Sequence, residues 1–328
     1  MSAFAEMSAA WKARRSGTSF REMSGLARME ARWGLIFLSP WLFGFLVFTL
    51  IPMAASLYFS FTKFNLIHPE DMQFVGLANY VELFQDPFVR KSAWITLRYT
   101  LLSVPVGVIM PIGMAALLNV KSLAGKRIFT TLFFLPSVIP LISGIYAWQG
   151  FLNPRTGWLN LVLTPILVPL GVTPPDWLNS MVWIYPALIM VGLWGYGNAM
   201  LTTLAGMQGV PTEYYEAARV DGAGPLYRFL HITLPMISPV IFYNLVLSVI
   251  GHFQYFVIAW IFGGPNSDPG QATLFYNVYL YKEAFDRLNM GYGATLAWAL
   301  FAFALTVTVL LFSTAKYWVY YAGEEGEE

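Results

Sequence analysis

Cysteine is absent from the 328 residues, which excludes disulfides, thiolate metal sites and cysteine nucleophiles. Charge is scarce too. Only 11% of residues are charged, where soluble proteins average about 25%, and 57% are hydrophobic, so lipid is the solvent for most of this chain. No Gly-x-x-x-x-Gly-Lys-Ser/Thr phosphate loop occurs. The nearest fragment, Gly125-Lys126-Arg127, lacks the upstream glycine and the hydroxyl, so ATP hydrolysis by this chain is not expected. The three histidines, His68, His231 and His252, are too scattered to form a metal-ligand cluster among themselves. No apolar run with a cleavage site precedes the first long hydrophobic stretch, so a removed signal peptide is not expected. The N-terminal basic residues alternate with Glu6, Glu22 and Glu30 and run into that stretch, which points to membrane topology and away from nucleic acid.

What is present is a series of long apolar runs. Mean hydropathy is +0.57. Six stretches, 33–61, 93–119, 128–149, 181–204, 234–262 and 291–319, approach or exceed the roughly 20 residues that cross a bilayer as a helix. Their continuous apolarity, without period-2 alternation, predicts helices and excludes barrel strands. A seventh stretch, 159–172, is short, contains Pro165 and Pro169, and reads as interfacial or re-entrant. The expected fold is therefore an all-α polytopic membrane protein with six transmembrane helices. Its segments are 1–32 (N-terminal, cytoplasmic), 33–319 (the six-span domain) and 320–328 (an acidic cytoplasmic tail). Lysine and arginine number 12 on the side of the termini and of the 120–127 and 205–233 loops, against 6 on the other side, which places both termini in the cytoplasm. Arg98, near one end of span 2, is expected to snorkel to the interface. Asp286 and Arg287, and Glu70 and Asp71, read as solvated loop charges.

The most informative segment lies between spans 4 and 5. Pro211-Thr212-Glu213 opens a helix, with Thr212 as a candidate cap and Glu213 and Glu216 at the positive end of its dipole. Gly222-Ala223-Gly224-Pro225 stops it. A second helix starts near Leu226, with Leu226, Phe229 and Leu230 as its apolar face, and Pro235 marks re-entry to the membrane. This predicts a helix-turn-helix over 205–233 at the cytoplasmic surface. Glu216-Ala217-Ala218, Asp221-Gly222-Ala223 and Ile232-Thr233-Leu234-Pro235, at this spacing, resemble the cytoplasmic signature of permease subunits of binding-protein-dependent ATP-driven importers. Phe37-Leu38-Ser39-Pro40, Phe74-Val75-Gly76-Leu77-Ala78-Asn79-Tyr80 and Phe262-Gly263-Gly264-Pro265 extend the resemblance to the carbohydrate-uptake branch, the maltose and glycerol-phosphate type. His252 and Val257 depart from it, standing where relatives more often carry a small or hydroxyl residue and an acid.

The resemblance implies that the 213–235 loop is a coupling helix docking on a separate ATPase through Glu216, Ala217, Ala218, Asp221, Gly222 and Ala223. It also implies two ATP-binding subunits carrying ATP and Mg, a second related permease chain, an extracytoplasmic solute-binding protein and a bacterial inner-membrane location. No cofactor is expected on this chain. From the residues themselves, Asn244, Ser248, His252 and Tyr255 step by 4, 4 and 3 along span 5 and share one helical face, suited either to a hydroxyl-rich ligand or to interhelical hydrogen bonds. Asn198 in span 4 has the same two readings. The alternative class, an ion-coupled secondary transporter, calls for an intramembrane carboxylate, and no Asp or Glu falls inside the six stretches.

Overall fold

A computed structural model of the chain describes residues 25–120 and 122–320. The 1–24 part of the basic segment and the 321–328 part of the acidic tail lie outside the described residues. The first long helical run comprises α1 (Gly25–Phe45), a π turn (Leu46–Leu50) and α2 (Ile51–Ser60). It begins eight residues before the apolar stretch does. The π turn sits just ahead of Pro52, which has no N–H to donate to the preceding turn. Met29–Ser60 is apolar and long enough to cross a membrane, and its large side chains, Phe37, Trp41 and Phe48 among them, are exposed.

The remainder, from Phe59 onward, forms a second compact unit. It opens with a two-stranded hairpin that the all-α expectation does not contain, β1 (Thr62–Lys63) paired antiparallel with β2 (Gln73–Phe74). Buried Asn79, in α3 (Ala78–Gln85), fixes it by donating to the carbonyls of Ser60 and Thr62, both at 2.9 Å. Helix α4 (Pro87–Asn119) follows. Asp86 caps it by accepting the Phe88 N–H at 2.8 Å, and Pro87 occupies the first position, where a missing donor costs nothing.

The helices expected for spans 3 and 4 are broken. The expected 128–149 helix is α5 (Lys126–Phe134), a 3-10 turn (Leu135–Val138) and α6 (Leu141–Phe151), bent by 105°; the expected 181–204 helix is α8 (Ile184–Leu193) and α9 (Gly197–Gln208), bent by 52°. Pro136 and Pro140 remove donors at the first break, and Gly195 and Gly197 flank the second. Four helices are thus long and apolar enough to cross a membrane, or six if each bent pair counts as one. Between the bent pairs, α7 (Trp158–Leu167) falls in the short 159–172 stretch. Its buried Asn160 accepts from Trp177 Nε1 at 2.8 Å and donates to the Pro175 carbonyl at 2.9 Å.

After α9 come α10 (Thr212–Val220), α11 (Pro225–Arg228), a π turn (Phe229–Thr233), α12 (Ser238–Phe253), α13 (Val257–Gly263), α14 (Tyr276–Tyr281) and α15 (Met290–Ala315). Five buried clusters hold the unit together among the described residues, and two of them are the largest. One, containing Tyr99, Leu188, Phe275 and Leu296, joins α4, α8, α15 and the 264–275 loop. The other, containing Leu118, Met200, Met207 and Ile237, lies nearer the α10 end. Lys282 Nζ pins the 264–275 loop by donating to the Pro265 carbonyl at 2.7 Å and Ser267 Oγ at 2.8 Å.

Asp86 does more than cap a helix. Its Oδ2 accepts the hydroxyls of Tyr279, at 2.5 Å, and Tyr292, at 2.8 Å, tying the start of α4 to α14 and to the start of α15. Burial alone would raise its pKa, but the two phenols and the N–H groups of Phe88 and Val89 outweigh burial and hold the carboxyl below its ordinary 3.8. A depressed carboxylate contributes stability that is complete above the ordinary value and is withdrawn as the pH falls through the lowered one. Asp86→Asn should therefore cost about 1–2 kcal/mol at neutral pH and flatten the acid limb of a pH-dependent thermal melt. An unchanged acid limb would remove Asp86 from this role. Beside it, Arg287 is exposed, as expected of a loop charge, and its guanidinium also pairs with the buried Glu283 side chain one helical turn earlier.

Candidate functional site

Three turns of α12 place Asn244, Ser248 and His252 along one side, as their spacing requires. Tyr255 does not share that helix, contrary to the expectation, because α12 ends at Phe253. The chain unwinds through Gln254–Phe256 before α13. Tyr255 nevertheless lines the same cavity of about 390 Å³ as the other three. The cavity has walls the spacing alone did not reveal. Tyr99 and Gly107 come from α4, and Tyr196, Asn198 and Thr202 from the break between α8 and α9 and from α9 itself.

The aromatic end is tightly built. The Tyr99 ring lies 4.7 Å from that of Tyr255 and 5.7 Å from the imidazole of His252. The Tyr255 hydroxyl is buried beside the Tyr99 phenol without a hydrogen bond of ordinary length and angle among the described residues, which suits a ligand hydroxyl or a water. His252 Nδ1 lies 2.6 Å from the Ser248 carbonyl, an acceptor only, so this nitrogen carries the proton and Nε2 is left as an acceptor. Asn244 Nδ2 donates to Thr203 Oγ1 at 3.1 Å, bridging α12 to α9. Its amide oxygen remains for another donor. No Lys, Arg, Asp or Glu lines this cavity among the described residues.

Arg98 stands eleven residues into α4, with its guanidinium over the Tyr185 ring at 5.3 Å from the centroid. The aromatic face supports the cation there, beyond the interfacial snorkelling expected for it. His68, Glu70 and Asp71 form an exposed trio whose ligand atoms lie within 4.8 Å of one another, with the imidazole 3.3 Å from Glu70. Nothing beyond their proximity suggests an ion.

At the α10 end, Glu216, Ala217, Asp221 and Gly222 are exposed, while Ala218 and Ala223 are half-buried. Helix α10 starts at Thr212 itself, with Pro211 at the cap position and no side-chain cap, so the Thr212 hydroxyl falls within the first turn. Gly222 has φ +78°, a left-handed conformation that costs a side-chain-bearing residue about 1–2 kcal/mol. Helix α11 is a single turn continued by the π turn. Of its expected apolar face only Phe229 is turned inward, and Leu226 is 70% and Leu230 46% exposed. Val220, at the tip of α10, is 89% exposed.

Apolar helices around an uncharged polar cavity, with a short helix pair at one end, are the architecture of a membrane permease. Residues 96–322 match the inner membrane component of binding-protein-dependent transport systems, and the chain belongs to that family. It is a permease subunit and not an enzyme. The chain is 35% identical over 312 residues to the probable ABC transporter permease protein YesP of Bacillus subtilis, covering 94% of this chain and 99% of the relative. It is 35% identical over 277 residues to the arabinooligosaccharides transport system permease protein AraP of the same organism, covering 84% and 86%. Its fold matches a subunit in the crystal structure of a bacterial alginate ABC transporter in complex with alginate pentasaccharide-bound periplasmic protein. The TM-score is 0.76 at 23% identity, over 88% of this chain and 96% of that one.

Proposed function

We propose that this chain forms one wall of the translocation path for a sugar or oligosaccharide in an ATP-driven importer, with six spans and both termini in the cytoplasm. The observation that carries the reading is the cavity. Tyrosine faces, amides, a hydroxyl and a neutral imidazole acceptor, with no charged side chain among the described residues, suit the apolar ring faces and many hydroxyls of a carbohydrate. Relatives named for arabinooligosaccharide transport support the same class. The exposed residues of α10 and of the Gly222 turn dock on a separate ATPase, which holds ATP and Mg. A solute-binding protein delivers ligand from the opposite face, and a second permease chain completes the path. Family membership disfavours an ion-coupled transporter.

Two measurements test the assembly and its orientation. A tagged chain should retain a soluble ATPase through purification, and failure to do so from intact membranes would count against docking. The natural absence of cysteine makes labelling clean. Thr212→Cys should resist an impermeant maleimide added to whole cells, whereas Thr156→Cys should react; the reverse pattern would invert the topology.

A further inference from the structure

We propose that Tyr215 and Thr233 form the mechanical link through which movement of α10 reaches the cavity wall. This inference rests on the docking role of α10 proposed above. Helix α10 has two faces. Its outer residues are exposed, whereas Tyr215 and Ala218, three residues apart, are half-buried on the inner side. The Tyr215 ring packs against the cluster that contains Leu118, Met207 and Ile237, at the base of α4, α9 and α12. Its hydroxyl meets Thr233 Oγ1 at 2.9 Å. Among the described residues this is the only hydrogen bond between α10 and the 225–237 segment.

Thr233 is well placed to pass on a displacement. It is buried, it ends the π turn, and its carbonyl accepts the Ile237 N–H at 3.0 Å at the threshold of α12. Ser238, the first residue of α12, is held in turn by the Tyr320 N–H, which donates to its Oγ at 2.8 Å. Asn244 lies eleven residues beyond Thr233, a rise of about 16 Å along a helix. A push on α10 therefore reaches the cavity by one of two routes. One is the covalent chain through the Gly222 turn and α11, a single turn exposed along most of its length. The other is the Tyr215 contact, which is short, ends on a buried hydroxyl and packs on the cluster at the base of three helices. A buried, packed contact transmits displacement better than an exposed hinge, because close-packed interiors yield little. Tyr215 and Thr233 are thus positioning residues that touch neither nucleotide nor solute.

The test uses the complete importer with its binding protein in nanodiscs. Thr202→Cys, on the cavity wall, serves as a reporter, and ATP with orthovanadate as the probe. With Tyr215 and Thr233 intact, ATP–vanadate should change the rate at which the reporter reacts with a maleimide. Tyr215→Phe and Thr233→Val should each shrink that change about fivefold or more while the ATPase stays bound. Thr233→Ser, which keeps the hydroxyl, should restore it. The double variant should be no worse than either single one, since both delete the same bond. An undiminished response in the Phe and Val variants would overturn the link, as would loss of the ATPase from them. Gly222→Val separates this from the docking reading. If that variant keeps its ATPase, docking through the turn fails whatever Tyr215 does.

Discussion

Gly222→Val should leave the chain in the membrane but release the ATPase and lower uptake by about tenfold or more. A Cβ built at Gly222 meets no atom within 4 Å, so the penalty comes from the backbone alone, at φ +78°. A β-branched residue tolerates that region worst, and about 1.4 kcal/mol already corresponds to a tenfold change in a docking equilibrium. The turn relaxes by reorienting α11 relative to α10, which removes the shared surface that Val220 and Leu226 present. Gly222→Asn supplies the control. Asparagine enters the left-handed region more readily, so it should retain much of the binding. Equal losses in both variants would show that the partner needs the absence of a side chain, and equal wild-type uptake would sink the docking assignment.

The second large effect is expected at the cavity. Combining Asn244→Leu with His252→Leu should reduce uptake of the cognate solute by roughly tenfold or more, from two lost hydrogen bonds of about 0.5–1.5 kcal/mol each, without loss of the assembled complex. His252→Leu is the cleaner of the two. Its Nδ1 is spent on the Ser248 carbonyl of its own helix, so the replacement removes the Nε2 acceptor without breaking a hydrogen bond between helices, and of the packing on α4 it alters the ring contact with Tyr99. Asn244→Leu also severs the bridge to Thr203 and the longer contact to the Ala199 carbonyl, but the Thr203 hydroxyl keeps its own bond to that carbonyl at 2.7 Å and so is not left unpaired, and the apolar cluster of Met200, Leu204 and Ile241 should still hold α9 to α12. Gly107→Val reaches the same cavity from the facing helix. A Cβ there would lie 2.9 Å from the Tyr196 hydroxyl and 3.1 Å from Ser248 Oγ, forcing Tyr196 to shift. Bulky solutes should suffer more than small ones. Uptake unchanged in the double variant would assign these side chains to helix packing alone.

Much of this was legible along the chain. The 213–235 loop could be read because turn chemistry is local: Gly222 serves a positive φ and Pro225 starts α11, each at its own position. Asn244, Ser248 and His252 could be read because a helix converts spacing into a shared side. That logic failed at Tyr255, where the helix ends two residues earlier and the side chain reaches the cavity by another path. It also failed for Tyr99, Gly107, Tyr196 and Thr202, which no single spacing connects to span 5. A faint signal existed at Tyr196, set between Gly195 and Gly197 where a span is interrupted. Nothing in the sequence near Asp86 pointed to Tyr279 and Tyr292, some 200 residues further on.

The sequence by itself determined that the chain lives in lipid, where its apolar runs lie, and which loop resembles the family's cytoplasmic signature, because hydropathy and turn propensity are properties of neighbouring residues. Only the tertiary structure decided how α4, α9 and α12 enclose a cavity, that the helix pairs at 126–151 and 184–208 are bent by 105° and 52°, and that Tyr215 finds Thr233. Those outcomes depend on which side chains fill the space between helices far apart in the chain, and packing is settled by the shapes of both partners at once.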